Sequence, residues 1–245
     1  MHSFRGGTGK SNTTANIATL MAQTGKRIGV IDTDIQSPGI HVLFGLDEDH
    51  INFSLNDYLW SKCSVEEAAY DVSASIGLES NGKIYLIPSS IKTSDIAKVL
   101  REGYDPSILN EGFTKLINTL DLDVLLIDTH PGLNEETLLS IAISDVMLII
   151  MRPDQQDYQG TGVTVEVANQ LDVPKIFLLV NKTPKVYDQE EVKTKVEKAY
   201  NIPIAAIIPH SDKMMTLASS GIFVLKYSDH KITTELKKVV SLLLN

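Results

Sequence analysis

The sequence predicts an α/β fold, a mostly parallel twisted sheet with helices on both faces, and three observations carry that expectation. Short runs rich in Val, Ile and Leu recur along the 245 residues without polar alternation, as strands buried on both faces do. Amphipathic segments of helix length separate them, the spacing that crossovers between parallel strands require. A glycine-rich loop at residues 5–11 stands between the first short run and the first such segment.

The elements follow in order. Residues 1–4 are all that precede the loop as a strand. Strands average about five or six residues, so this one is short and points to a residue or two ahead of Met1. Residues 11–24 form a helix with Ile17, Leu20 and Met21 on one face, stopped at Gly25, a good left-handed helix end. A strand at 27–32 follows, then a region at 53–72 whose helix Tyr58 and Trp60 pack. Strands at 84–88, 124–128, 146–151, 176–181 and 204–209 alternate with helices at 108–120, 154–171, 188–200 and 231–244. The mixed-charge run 189–198 reads as a solvated helix face with i,i+4 pairs. No repeat, low-complexity tract or linker divides the chain, and its length suffices for one core, so residues 1–245 read as a single domain.

Composition narrows the classes. A hydrophobic fraction of 43% and a charged fraction of 22% are those of an ordinary globular protein. No run approaches the ~18 apolar residues of a membrane span, and the start carries no apolar signal region, so the expected location is cytoplasmic. Cys63 stands alone, which excludes a disulfide within the chain and disfavours a cysteine-held metal. A net charge of −9 argues against a polycation that coats DNA and leaves a local basic patch open.

The chemistry concentrates in Arg5-Gly6-Gly7-Thr8-Gly9-Lys10-Ser11. Gly6, Gly7 and Gly9 let the backbone turn tightly and aim successive amides, Thr8 among them, at one point. The helix that starts near Ser11 and Asn12 adds the positive end of its dipole. Lys10 supplies a charge for β- and γ-phosphates, and the Ser11 hydroxyl can ligate Mg²⁺. From average residue usage, GGxGK[ST] arises by chance in roughly one in a thousand chains this long. The competing reading is a glycine-rich surface turn with an incidental lysine.

Two aspartates end the second strand, Asp32 and Asp34, where carboxylates can order a Mg²⁺ shell or orient a water for in-line attack. The bland alternative is a strand end running into a turn. Four apolar residues deliver Asp128 to the sheet edge, where it can reach Mg²⁺ through water or Ser11. Gly132 can offer an amide to the γ-phosphate and move when that phosphate leaves. His130 reads as a packing residue of this loop rather than a base.

Phe4 stands where the longer GxxxxGK[ST] form has its first glycine. What remains resembles the deviant loop KGGxGK[ST] of the ParA/MinD family of P-loop ATPases, with Arg5 at the signature lysine. The resemblance implies an ATP- and Mg²⁺-dependent ATPase whose two subunits sandwich two nucleotides, the signature residue reaching the partner's phosphates. Arg5 is a departure, because a planar fork does not replace a point charge at a close phosphate contact; Arg152 or Lys182 are alternatives. By the same match Asp34 positions the water, Asn181 and Lys182 belong to one adenine-contacting turn, and Pro209, His210 and Ser211 to the other, its pattern continuing through residues 217–224. RGGTGKS and DTHPGLNEET are similar to the carboxysome-positioning branch of the family.

The resemblance leaves the surface on which such a switch acts open. A ParA-like member binds nucleoid DNA without sequence preference in its ATP state and is released by a ParB-like adaptor. Lys226, His230, Lys231, Lys237 and Lys238 can form its phosphate-contacting patch, or an ordinary solvated face. A MinD-like member inserts a terminal amphipathic helix into membrane; Leu236, Val239, Val240 and Leu243 make such a stripe, read here as core packing. Metal-insertion and iron–sulfur members use paired cysteines, which a lone Cys63 does not supply. Asn181-Lys182-Thr183-Pro184 lacks the aspartate of a guanine motif.

Overall fold

The computed structural model describes residues 1–245. In chain order the first half contains α1 (Lys10–Gln23), β1 (Arg27–Asp32), α2 (Ile40–Leu43), α3 (Leu55–Leu59), β2 (Tyr70–Asp71), β3 (Lys83–Ile87), α4 (Thr93–Glu102), α5 (Ser107–Thr119) and β4 (Val124–Asp128). The second half contains α6 (Glu135–Ala142), β5 (Val146–Met151), α7 (Gln155–Gln170), β6 (Lys175–Thr183), α8 (Gln189–Tyr200), β7 (Ile204–Pro209), α9 (Asp212–Leu217), α10 (Phe223–Lys226) and α11 (Lys231–Leu243).

Two ladders make the sheet, β2-β3-β1-β4 and β5-β6-β7, parallel throughout except for the β2 edge. Residues 1–3 join them. The Met1 ammonium donates to the Ile127 carbonyl at 2.9 Å and Thr129 N–H donates to the Met1 carbonyl at 3.3 Å. On the other side His2 N–H reaches the Leu148 carbonyl at 3.0 Å and Ile150 N–H reaches the His2 carbonyl at 2.8 Å. The short first strand of the sequence reading is thus the central strand of a continuous twisted sheet, at less than normal length.

Helices cover both faces, as strands apolar on both sides demand. On one face α1 and α11 bury Ile17, Leu236 and Val239 against Val30, Leu126 and Leu148. On the other face there are two clusters, one of α3 and α5 on Ile31 and Ile87, one of α7 and α8 on Ile149 and Val180. The apolar stripe of the last helix is therefore core: Leu236, Val239 and Val240 are buried and Leu243 packs at their margin.

The helix of the 53–72 region is the five residues of α3, opened by a capping box between Ser54 and Asp57. Trp60 lies just past its end, flanked by Lys62 and Lys98, and Tyr58 fills the space over Gly112. α4 and α6 were not anticipated. In α4 the apolar residues Ile96, Val99 and Leu100 stand at i, i+3 and i+4, a helical spacing that the sequence carried, although only Val99 is buried.

Candidate functional site

The loop at residues 4–9 lies over the carboxyl ends of β1, β4 and the first strand, where ligands bind in open parallel sheets. Gly7 (φ 78°) and Gly9 (φ 94°) adopt left-handed conformations that other residues resist. A Cβ on Gly9 would also stand 2.5 Å from the Asn181 side-chain nitrogen, so two constraints select glycine there. Gly9 is the N-cap of α1 and no side chain caps that helix, whereas α6, α7 and α8 are capped by Asn134, Asp154 and Asp188. The first amides of α1 are consequently available to an anion.

Beneath the loop, Lys10 is 5% exposed and its Nζ lies 3.0 Å from Oδ1 of Asp128, itself fully buried. The contact is a charge pair without hydrogen-bond alignment, so Lys10 Nζ and Asp128 Oδ2 both lack a hydrogen-bond partner. Buried polar atoms in that condition mark an incomplete site. Thr14, one turn beyond Lys10, donates its hydroxyl to Asp128 Oδ1 at 2.8 Å. Asp32 accepts from Asp34 N–H at 3.0 Å and from Gly39 N–H at 3.4 Å. Burial, reinforced by the Asp128 charge, pushes the Asp32 carboxyl up to about 8. Burial also raises Asp34, with Lys10 and His130 opposing; its Oδ1 accepts from Ser37 N–H and lies 3.8 Å from His130 Nε2. Three acidic side chains thus crowd one buried lysine, and the burial that raises Asp32 would be offset by a divalent cation.

Those residues fit Mg²⁺. Nowhere do three or more His, Cys, Asp or Glu side chains gather as a protein cage, and Mg²⁺ ordinarily uses one or two protein oxygens completed by phosphate and water. Ser11 at the head of α1, with Asp32 and Asp128 behind it, is such a partial set. With a triphosphate, the cation would draw charge from the phosphate oxygens while Lys10 and the loop amides hold them.

The other predicted site residues lie in and around the loop and at the carboxyl ends of β6 and β7. Asn181, expected at the base, braces the loop: its amide donates to the Thr8 carbonyl at 2.8 Å and its oxygen accepts from Lys182 N–H at 2.9 Å. Lys182, in a left-handed conformation (φ 53°), donates from Nζ to the Gly7 carbonyl at 2.8 Å. Gly132 N–H is taken by the Ser3 carbonyl at 3.2 Å, so as placed it does not point at a γ-phosphate. His130 Nδ1 contacts the Pro131 carbonyl at 2.6 Å. Pro209 ends β7, His210 N–H bonds the Thr183 carbonyl at 2.8 Å, and the Ser211 hydroxyl caps α9. Asn12 accepts from Asn16, and Gly6 approaches Pro131.

Arg5 meets Asp154 at 3.5 Å and Asp157 at 3.3 Å, at the start of α7. Arg152 grips the same two carboxylates at 3.1 and 3.3 Å. All three candidates for a cross-subunit cation, Arg5, Arg152 and Lys182, are therefore engaged within their own chain. Sequence reasoning missed Thr14 and Asp157. Thr14 carries a faint signal, one helical turn after Lys10; Asp157 has none, being one more polar residue in a polar first turn.

A family model described as AAA domain (AAA_31) matches residues 1–183. The iron-sulfur cluster carrier protein of Methanococcus maripaludis is 28% identical over 254 residues, spanning 99% of this chain and 82% of that protein. The uncharacterized ATP-binding protein MJ0547 of Methanocaldococcus jannaschii is 24% identical over 243 residues, spanning 99% and 85%. Two solved structures share the fold over nearly the whole chain. MinD of Pyrococcus horikoshii, complexed with Mg-ADP, superposes with a TM-score of 0.81 at 21% identity, covering 99% of this chain and 93% of that one. Apo McdA of Cyanothece gives 0.80 at 17% identity, covering 99% and 97%.

Proposed function

We propose a dimerisation switch that works on a surface, from the premise that the chain belongs to the AAA domain family and is a P-loop ATPase of the ParA/MinD type, using ATP and Mg²⁺. The observation that carries the reading is the buried Lys10–Asp128 pair beneath an uncapped helix, with Asp32 and Asp34 alongside. A triphosphate on the amides of residues 6–11 attracts Lys10 away from Asp128. Asp34, at the end of β1, then orients the attacking water. Charge and position supply the catalysis, as phosphoryl transfer requires.

In the proposed dimer two subunits enclose two ATP molecules, and Arg5 exchanges its carboxylate partners for the phosphates opposite. The proposed surface is nucleoid DNA, bound without sequence preference, with a carboxysome-like cargo moved through a ParB-like adaptor that speeds hydrolysis. Supporting it, Lys226, Lys231 and Lys237 are exposed and free of ion pairs, Lys213 and Lys226 both lie over Tyr227, and only Lys238 is neutralised, by Glu235. His230 contributes less, because its ring caps α11. The MinD-like membrane reading loses support from α11, whose apolar stripe is spent in the core. An iron–sulfur carrier role finds little support in Cys63, whose thiol burial pushes up to about 11, away from the thiolate that metals take.

Pelleting purified protein with DNA or with anionic vesicles, each with ATP and with ADP, tests the proposal. ATP-dependent DNA binding, weakened by Lys226→Glu with Lys237→Glu, is the expected result. ATP-dependent vesicle binding would replace it with the membrane reading, and binding to neither surface would remove both.

A further inference from the structure

β6 loses its register with β7 at two residues. From Val180 to Thr183 it advances three residues while β7, from Ile207 to Pro209, advances two, so Asn181 and Lys182 carry one residue more than the pairing needs. Lys182 takes up the extra length in a left-handed conformation (φ 53°) that a lysine adopts only at a cost. Bulges of this kind re-aim side chains beside active sites, and here both residues turn onto the phosphate loop. Asn181 donates from Nδ2 to the Thr8 carbonyl and Lys182 from Nζ to the Gly7 carbonyl, each at 2.8 Å. The Asn181 oxygen accepts from Lys182 N–H, which fixes the way that amide faces.

These two bonds are what hold the crest of the loop. Gly6, Gly7 and Thr8 make no backbone–backbone hydrogen bond, and the chain rejoins a main-chain ladder only where Thr13 N–H reaches the Gly9 carbonyl. In a planar trans peptide the C=O of one residue and the N–H of the next point in opposite directions. Drawing the Gly7 and Thr8 carbonyls toward β6 therefore turns the Thr8 and Gly9 N–H groups away from β6. The bare Gly9 belongs to the same device, because a Cβ there would meet Asn181 Nδ2 at 2.5 Å and Lys182 Cε at 3.8 Å. Asn181 is 5% exposed, which leaves it little surface to offer a base.

We propose that Asn181 and Lys182 are positioning residues for the phosphates: by anchoring two loop carbonyls, they aim the Thr8 and Gly9 amides at the anion before nucleotide arrives. Their contribution then falls on the phosphate chain of the nucleotide and not on its base. Affinity gains because the loop need not be ordered at the moment of binding. The inference rests on the loop as the phosphate site and deepens that reading.

The test is calorimetric titration of inorganic tripolyphosphate, ATP and GTP into the wild type, Asn181→Ala, Lys182→Met and Lys182→Arg. Asn181→Ala should weaken tripolyphosphate and ATP by the same factor, about five- to thirtyfold, and the exposed Lys182→Met by about two- to fivefold. The preference between ATP and GTP should stay as in the wild type, and Lys182→Arg, which keeps a donor, should recover most of the loss. In nucleotide-free Lys182→Met, which keeps the aliphatic stem at an exposed position, the order parameters of the Thr8 and Gly9 amides should fall from about 0.85 toward about 0.6, with those of β1 and β4 unchanged. Tripolyphosphate affinity that survives while ATP affinity falls would return both residues to the base and overturn the proposal. Unchanged loop order parameters would overturn it as well. A wild type that binds neither ATP nor tripolyphosphate would remove the phosphate site itself and this inference with it, a failure visible before any variant is compared.

Discussion

Replacing Lys10 with Met keeps the aliphatic stem and removes the ammonium that faces Asp128. Lys10 and Asp128 are both nearly inaccessible and 3.0 Å apart. Removing one member of a buried pair strands the other charge and typically costs about 3–5 kcal/mol. In a chain of this size each kcal/mol moves the melting midpoint by roughly 2–4 °C, so Lys10→Met should melt about 6–20 °C lower without nucleotide. Adding Asp128→Asn removes the stranded charge, keeps an acceptor for the Thr14 hydroxyl, and should recover most of the loss. ATP binding should not recover. Charge-assisted hydrogen bonds to phosphate contribute about 1.5–3 kcal/mol each, and losing two of them weakens binding by a hundredfold or more. Calorimetric melting and fluorescent-nucleotide titration of the wild type, the single variant and the double variant form the assay. If Lys10→Met melts within 1–2 °C of the wild type, or the double variant binds ATP normally, the described roles of the pair are wrong.

Asp34→Ala should trap an ATP-bound dimer, with turnover lowered about a hundredfold or more and nucleotide still bound in size-exclusion fractions; normal turnover would remove Asp34 from the water-positioning role. Asp32 gives a pH signature. Its folded-state pKa is raised, so its contribution to stability is fully present below the unfolded value near 4 and is lost as pH rises toward about 8. Asp32→Asn should therefore melt several degrees above the wild type at pH 8 without nucleotide, with the gap shrinking by more than half at pH 5; a gap independent of pH would contradict that sign. Arg5→Ala should abolish ATP-dependent dimerisation measured by sedimentation velocity, and an intact dimer would transfer the cross-subunit role to Arg152 or Lys182.

The sheet was legible because each buried strand is a dense apolar run; β1, β4, β5 and β7 begin and end where composition changes. The loop was legible too, since three glycines around Thr8 and a lysine have few other uses. What stayed hidden are pairings over long separations. Lys10 with Asp128, Arg5 with Asp154 and Asp157, and Asn181 with Thr8 each depend on crossovers bringing distant strand ends together, and no local pattern encodes them. The same applies to residues 1–3.

Amide-resolved NMR during titration with Mg²⁺ and a non-hydrolysable ATP analogue tests the phosphate site most directly. The largest shifts should fall at Gly7, Gly9, Lys10 and Ser11, with Asp32 and Asp128 following as the cation enters. Saturable binding that leaves those loop amides unmoved would contradict it.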